Sequence, residues 1–80
     1  MHDSAVEARV ARWGRGIAIA LPVDWLVRRY GEVPRELELL CGGRRVRLRL
    51  VSVTSASARY YVRGAGQLAV MEAGECVPAR

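Results

Sequence analysis

Residues 35–51, RELELLCGGRRVRLRLV, contain two alternating apolar and charged runs on either side of Gly42-Gly43. Two glycines between such runs predict a β-hairpin with a two-residue turn. Counting outward from the turn gives one apolar face, made of Leu37, Leu39, Val46 and Leu48. Because both faces of the two runs agree in a single register, this hairpin is the clearest element of the sequence.

The opposite face of the same hairpin is charged. The register places Glu36 opposite Arg49 and Glu38 opposite Arg47. Opposite charges that face each other across two strands stabilise a sheet. The sequence therefore favours charge pairing over nucleic-acid binding for Arg47 and Arg49.

Residues 5–22 predict an earlier hairpin. The run AVEARVARW alternates with a period of two, Gly14 and Gly16 interrupt it, and IAIAL resumes the alternation before Pro22. Glycines between two alternating runs are typical of a turn. We expect two strands, the second with isoleucines and a leucine on one side and Ala18 and Ala20 on the other.

A short helix is predicted over residues 22–31, PVDWLVRRYG. Proline suits the first helical turn, an acid near the start and arginines near the end complement the helix dipole, and glycine is a common terminator. The predicted apolar face is Val23, Leu26, Val27 and Tyr30.

The remaining residues predict a loop and another hairpin. Residues 52–58, SVTSASA, are small and polar and indicate a linker. Two apolar runs then flank Gly64-Ala65-Gly66 and predict a third hairpin, followed by a loose tail over residues 72–80. The expected order is ββ–α–ββ–ββ.

The charge balance permits an anionic partner. The 80 residues include 13 basic and 8 acidic ones, which gives a net charge of +5, and every basic residue is an arginine. The planar guanidinium group binds phosphates and carboxylates in a bidentate manner. An 80-residue chain also buries a modest core, so a partner subunit is an expected source of stability.

Metal, cofactor, enzymatic and membrane roles are disfavoured. The single histidine, His2, has no cluster of ligands around it, no pair of acids or activated nucleophile is visible, and Gly14-Arg15-Gly16 lacks the spacing of a nucleotide loop. The apolar run over residues 17–23 is too short to span a bilayer. We expect a cytoplasmic protein that is not an enzyme. Two separate cysteines are favoured, with a Cys41–Cys76 bridge left open.

The order of these motifs resembles the AbrB/MazE/SpoVT family of swapped-hairpin DNA-binding domains. The matching pieces are Arg12-Trp13-Gly14, the apolar strand ending in Leu21-Pro22, the helix ending at Tyr30-Gly31, and the hairpin over 36–51. The resemblance implies a mainly β fold with one short helix, in which two chains form a swapped-hairpin barrel. Residues 1–51 would form this domain, and residues 52–80 would add a C-terminal β-hairpin and tail.

The same resemblance implies a homodimeric transcription regulator that binds double-stranded DNA. Alternation puts Arg9 and Arg12 on opposite faces, so Arg12 and Arg15 are the first candidates. Ala20 departs from the family, which often has a basic residue there. The candidate DNA-binding residues are Arg9, Arg12, Arg15, Arg28 and Arg29.

The alternative is a protein-interaction module or an antitoxin with weak or no DNA binding. A toxin partner is disfavoured, because antitoxin tails are commonly acidic and this one carries only Glu72 and Glu75.

Aromatic residues next to arginines raise a further possibility. Tyr60 and Tyr61 could stack on RNA bases, but adjacent strand residues point to opposite faces, so at most one of them could do so. Packing in the core or at an interface is the favoured role for these tyrosines and for Trp13.

Overall fold

A computed structural model describes residues 5–64 and 66–79, so the predictions that involve His2, Ala65 and Arg80 lie outside the described residues. Within the described ranges the chain forms seven strands and two helices. In chain order they are β1 (Val6–Glu7), β2 (Arg9–Trp13), β3 (Gly16–Pro22), α1 (Val23–Tyr30), β4 (Glu36–Cys41), β5 (Arg44–Val53), β6 (Ser57–Val62), α2 (Gly66–Ala73) and β7 (Glu75–Pro78).

The strands of the described residues form one antiparallel sheet in the order β1-β7-β4-β5-β6-β3-β2. Only Ala8 separates β1 from β2, so the two ends of this sheet meet in the chain and the sheet is a nearly closed barrel. The expected swapped-hairpin barrel of a homodimer is therefore wrong. A single chain closes the barrel, because its own β6 pairs with β3 and its own β7 pairs with β4 and β1.

The expected C-terminal hairpin is also wrong. β6 is followed by α2, in which Ala69 and Val70 are buried, and β7 then returns to the sheet. A Cβ atom on Gly66 would lie 3.0 Å from Cγ1 of Val46, so the glycine lets the start of α2 approach β5 closely. The chain fills one side of the barrel with a helix where the apolar pattern indicated a strand.

The predicted linker over 52–58 is mostly strand. β5 continues to Val53 and β6 begins at Ser57, so three residues connect them. The hydroxyl of Thr54 accepts hydrogen bonds from the backbone N–H groups of Ala56 and Ser57 and fixes this turn. The two strands that follow residue 51, β6 and β7, thus lie between strands from the earlier part of the chain in one sheet.

The two N-terminal hairpin predictions are confirmed. In β4–β5, Glu36 lies opposite Arg49 and Glu38 opposite Arg47, as counted from the two-glycine turn. In β2–β3, Ala11 lies opposite Ala18. Inward-facing residues of β3, β4, β5 and β6 form most of the core, which contains Ile19, Leu21, Leu37, Leu39, Val46, Leu48, Ala58, Tyr60 and Val62.

Helix α1 packs against this core with Leu26 and Tyr30 of the predicted face, and the prediction is wrong at Val27. Trp25 and Leu26 are buried, whereas Val27 is 44% exposed. The helix follows β3 directly and contacts β3 and β6. Gly31 ends it in the left-handed conformation, with a φ of 83° and an N–H that donates to the carbonyl of Val27.

The two cysteines form a disulfide bond, so the favoured prediction of two separate cysteines is wrong. Cys41 of β4 and Cys76 of β7 lie directly opposite each other and are almost fully buried. Disulfides persist in oxidising compartments and are rare in the cytosol. The bond weighs against the expected cytoplasmic location, which stays a prediction. Neither helix in the described ranges has the length and apolar character needed to cross a membrane.

Candidate nucleic-acid interface

The first hairpin, β2–β3, presents its outer strand to solvent. All five residues of β2 are exposed, and β2 stands at the end of the strand order with β3 as its neighbour. Gly14 has a φ of 59°, which glycine adopts without strain, and Arg15 follows it in the turn. The hairpin therefore offers two faces and a tip to a ligand.

The strand register brings arginines together on the outer surface of the barrel. Ala20 of β3 pairs with Arg9 on one side and with Arg59 of β6 on the other. Since neighbouring strands lie about 4.8 Å apart, the backbones of the two arginines are about 10 Å apart, with only a methyl group between them. By the same alternation this surface, here called the basic face, consists of Arg9, Ala11, Trp13, Gly16, Ala18, Ala20, Arg59 and Tyr61.

Two aromatic rings belong to the basic face. Trp13 is 36% exposed, and Cζ of Arg59 lies 5.5 Å from the centre of its ring, a cation–π contact. Tyr61 lies across Gly16, where an added Cβ would be 2.8 Å from the tyrosine Oη and 2.9 Å from its Cε1. The predicted core packing of Trp13 is wrong, because the outer side of β3 carries only glycine and alanine beside it.

Acidic residues are absent from the three strands of the basic face, while Glu7 of β1 lies beside Arg9 at its edge. The sequences of β2, β3 and β6 contain no Asp or Glu. Within the described residues, the ion pairs join Glu38 to Arg45 at 2.9 Å and to Arg47 at 3.2 Å, on the β4–β5 hairpin. Hydrogen bonds from these two arginines lower the pKa of the Glu38 carboxyl. The charge pairing predicted for Arg47 is confirmed, while no such bond forms between Glu36 and Arg49 in the described structure.

The residue beneath the basic face is Tyr60, and it fixes the orientation of β6. Its side chain is fully buried and its hydroxyl donates a hydrogen bond to the carbonyl of Pro34 at 2.6 Å. Burial, with a smaller contribution from Tyr30, raises the pKa of Tyr60 to about 12. Burial also raises the pKa of Tyr30. Because Tyr60 points inward, its neighbour Tyr61 must point outward, as the alternation predicted.

The structure distributes the five predicted DNA-binding arginines over four places. Arg9 lies on the basic face, whereas Arg12 pairs with Ile17 and lies on the other face of the hairpin. Arg15 lies in the turn, and Arg28 and Arg29 lie exposed in the last turn of α1. The predicted separation of Arg9 from Arg12 is confirmed.

Sequence reasoning underrated β6. The sequence offered Tyr60 and Tyr61, beside Arg59 and Arg63, as a candidate RNA-stacking surface, but packing in the core or at an interface was favoured for both tyrosines. The signal was the run RYYVR, in which alternate residues are basic, aromatic and basic. What the sequence could not reveal is that β6 lies beside β3, since these strands are far apart in the chain.

The described residues include no group of three or more His, Cys, Asp or Glu side chains that could hold a metal ion. The chemistry of the basic face is therefore that of guanidinium groups and aromatic rings, which suits a ligand that carries both negative charge and flat apolar groups.

No family model, curated protein or solved structure matches this chain. The resemblance in the N-terminal motifs stays a prediction, and the function must be argued from the molecule itself.

Proposed function

We propose that this protein binds nucleic acid through the basic face and the adjoining turn at Arg15. The observation that carries the proposal is the arrangement of three neighbouring strands, β2, β3 and β6, that contain exposed arginines and no acidic residue. Guanidinium groups without ion-pair partners attract phosphates, and the net charge of +5 favours approach of a polyanion.

Duplex DNA is the ligand expected from the sequence, and it remains one candidate. One chain closes the barrel, so there is no swapped dimer that would repeat Arg12 and Arg15 about a two-fold axis. That argument for duplex DNA is therefore lost. The proposal therefore rests on the surface of a single chain, and a palindromic site is not part of it.

The test is a salt-titrated binding assay with labelled duplex and single-stranded oligonucleotides. If Arg9, Arg15 and Arg59 each neutralise a phosphate, the logarithm of affinity should fall with the logarithm of salt with a slope of about −2 to −3. Replacing both Arg9 and Arg59 with Ala should weaken binding and reduce the magnitude of the slope by about 1 to 2.

A matched control comes from a residue outside β2, β3 and β6. Arg35 is exposed and precedes β4, and its backbone carbonyl, not its side chain, accepts the hydrogen bond from Leu50. Arg35→Ala removes the same charge and should bind almost as the parent does. The proposal fails if no salt-dependent binding appears at low salt, or if the Arg9 and Arg59 variants bind as well as Arg35→Ala.

One observation favours a second candidate function, association with another copy of the chain. β2 ends the strand order, so the side of its backbone that faces away from β3 is open to pairing, and Val10 is 40% exposed. Sedimentation at increasing protein concentration should then reveal a dimer that Val10→Lys dissociates, since charge on an edge strand opposes pairing. A monomer at every concentration would rule this function out.

A further inference from the structure

The two aromatic rings of the basic face lie on opposite sides of β3. Trp13 of β2 pairs with Gly16, and Tyr61 of β6 pairs with Ala18. Two strand spacings separate β2 from β6, so the rings rise from backbones about 10 Å apart over a floor of glycine and alanine. Ala18 in this floor is fully buried and the Tyr61 ring lies across Gly16, so a flat group would reach the two rings from their solvent-facing sides.

The exposure of Trp13 is a cost that core packing would have avoided. A large aromatic side chain that remains 36% exposed next to a glycine turn leaves apolar surface in contact with water. Its ring is held by the guanidinium of Arg59 at 5.5 Å, which places a positive charge beside an exposed π-surface. Arg9 lies across Ala20 from Arg59 and adds a second charge.

This combination discriminates between forms of nucleic acid. In a duplex the faces of the bases stack on each other, and a protein reaches base edges and phosphates. In a single strand the bases can be splayed out and stacked on aromatic side chains while arginines bind the backbone. The partly exposed ring of Trp13 and the half-buried ring of Tyr61, flanked by arginines on the outer surface of the barrel, fit the second mode.

We propose that the ligand is single-stranded nucleic acid, with one base stacked at Trp13 and another at Tyr61. This inference rests on the proposed function. Arg59 supports the first base through its contact with the indole ring, and Arg9 and Arg59 bind the phosphates on either side of Ala20. Because every base has a π-face, the site tolerates different sequences.

The intrinsic fluorescence of Trp13 provides the test, since stacking of a base quenches it. Trp25 is the other tryptophan of the chain, and in the described structure its buried Nε1 has no hydrogen-bond partner, so Trp25→Phe breaks no hydrogen bond there. In this background Trp13 is the only tryptophan, so selective excitation of indole reports on its environment. The probes are oligodeoxyuridylate and oligouridylate of about 12 nucleotides, within the site sizes of small β-barrels, and a duplex of equal length.

Both single strands should quench Trp13 and bind at least about tenfold more tightly than the duplex, because each stacked base contributes strongly to affinity. Trp13→Ala should weaken single-strand binding about tenfold and Trp13→Phe less, while Arg35→Ala changes little. Circular dichroism checks that each variant is folded. Oligodeoxyuridylate carries the same base as oligouridylate, so a stronger response to the ribo form identifies RNA as the source and a stronger response to the deoxy form identifies DNA.

Salt-dependent binding with equal or higher affinity for the duplex, and with Trp13 emission unchanged, would overturn the single-strand inference and leave the proposed function intact. Trp13→Ala binding as well as Trp13→Phe would overturn it too. Absence of binding to all three probes at low salt would overturn both.

Discussion

Stability at high pH should depend on one buried hydroxyl group, that of Tyr60. The side chain is 0% exposed, and its hydroxyl donates to the Pro34 carbonyl at 2.6 Å. Burial first and the neighbouring Tyr30 second raise its pKa from 10.0 to about 12. The folded protein therefore keeps this proton over a pH range in which the unfolded chain loses it.

The sign and size of the effect follow from proton linkage. Because the folded pKa lies above the unfolded one, the stabilisation is complete below about pH 10 and is lost as the pH rises toward about 12. The free energy of unfolding should fall by about 1 kcal/mol by about pH 11 and by about 2 kcal/mol by about pH 12. The chain contains no Lys, and arginine titrates higher, so tyrosines dominate this range.

Urea unfolding followed by circular dichroism, at about pH 8 and about pH 11, measures this loss. Tyr60→Phe should cost about 1 kcal/mol at the lower pH, because the Pro34 carbonyl loses its donor. It should lose much less than the parent as the pH rises, with a small remaining slope from Tyr30, whose pKa is also raised. A parent whose stability is flat over this range, or a variant that declines as steeply, would refute the reasoning.

Two further predictions concern the barrel itself. The bond between Cys41 and Cys76 closes a loop with a sequence separation of 35 residues, so replacing both with Ala should lower the free energy of unfolding by about 4 kcal/mol in the chain-entropy account. Equal stability of the parent with and without reductant would contradict this. Leu39 is 0% exposed and Leu68 is 62% exposed. Denaturant unfolding should therefore give a loss of about 2–5 kcal/mol for Leu39→Ala and within about 0.5 kcal/mol for Leu68→Ala, and comparable losses would contradict the core assignment.

Local patterns predicted the hairpins because their information is local. The register of β4–β5 follows from counting outward from Gly42 and Gly43, and the two faces of the strands agree only in that register. The start and end of α1 follow likewise from Pro22 and Gly31. Its buried face was misjudged at Val27, since which residues face the core depends on where the helix docks.

Long-range pairing was not readable in the same way. Nothing local in β6 indicates that it lies beside β3, or that Cys76 returns to Cys41. The run from Gly66 to Met71 alternates well enough for a strand. It forms a helix that approaches Val46 closely at Gly66, a contact that the local pattern does not show. The resemblance compounded this difficulty, because it supplied strands from a second chain where residues after 51 supply them here.

The candidate site was likewise predictable within one hairpin but not across strands that are far apart in the chain. Arg9, Arg12 and Arg15 were predicted as DNA-binding residues from the first hairpin. The placement of Arg9 and Arg12 on opposite faces is confirmed, and their binding role stays a prediction. Arg59 joins Arg9 only through β3, so the basic face could not be assembled before the order of strands was known.

The way the barrel closes determines where its sheet can open locally. β1 and β7 share two residue pairs, one of which sets Glu7 opposite Glu75, and like charges in such a pair repel. β7 is tied to β4 by the disulfide bond, so opening of this seam releases β1 and leaves β7 in place. The barrel can thus open at the seam between β1 and β7, and the released strand β1 continues through Ala8 directly into β2. Amide hydrogen exchange at Val6 and Ala8 measures how often β1 separates from β7. Each separation removes one of the contacts that hold β2, the strand that carries Arg9 and Trp13.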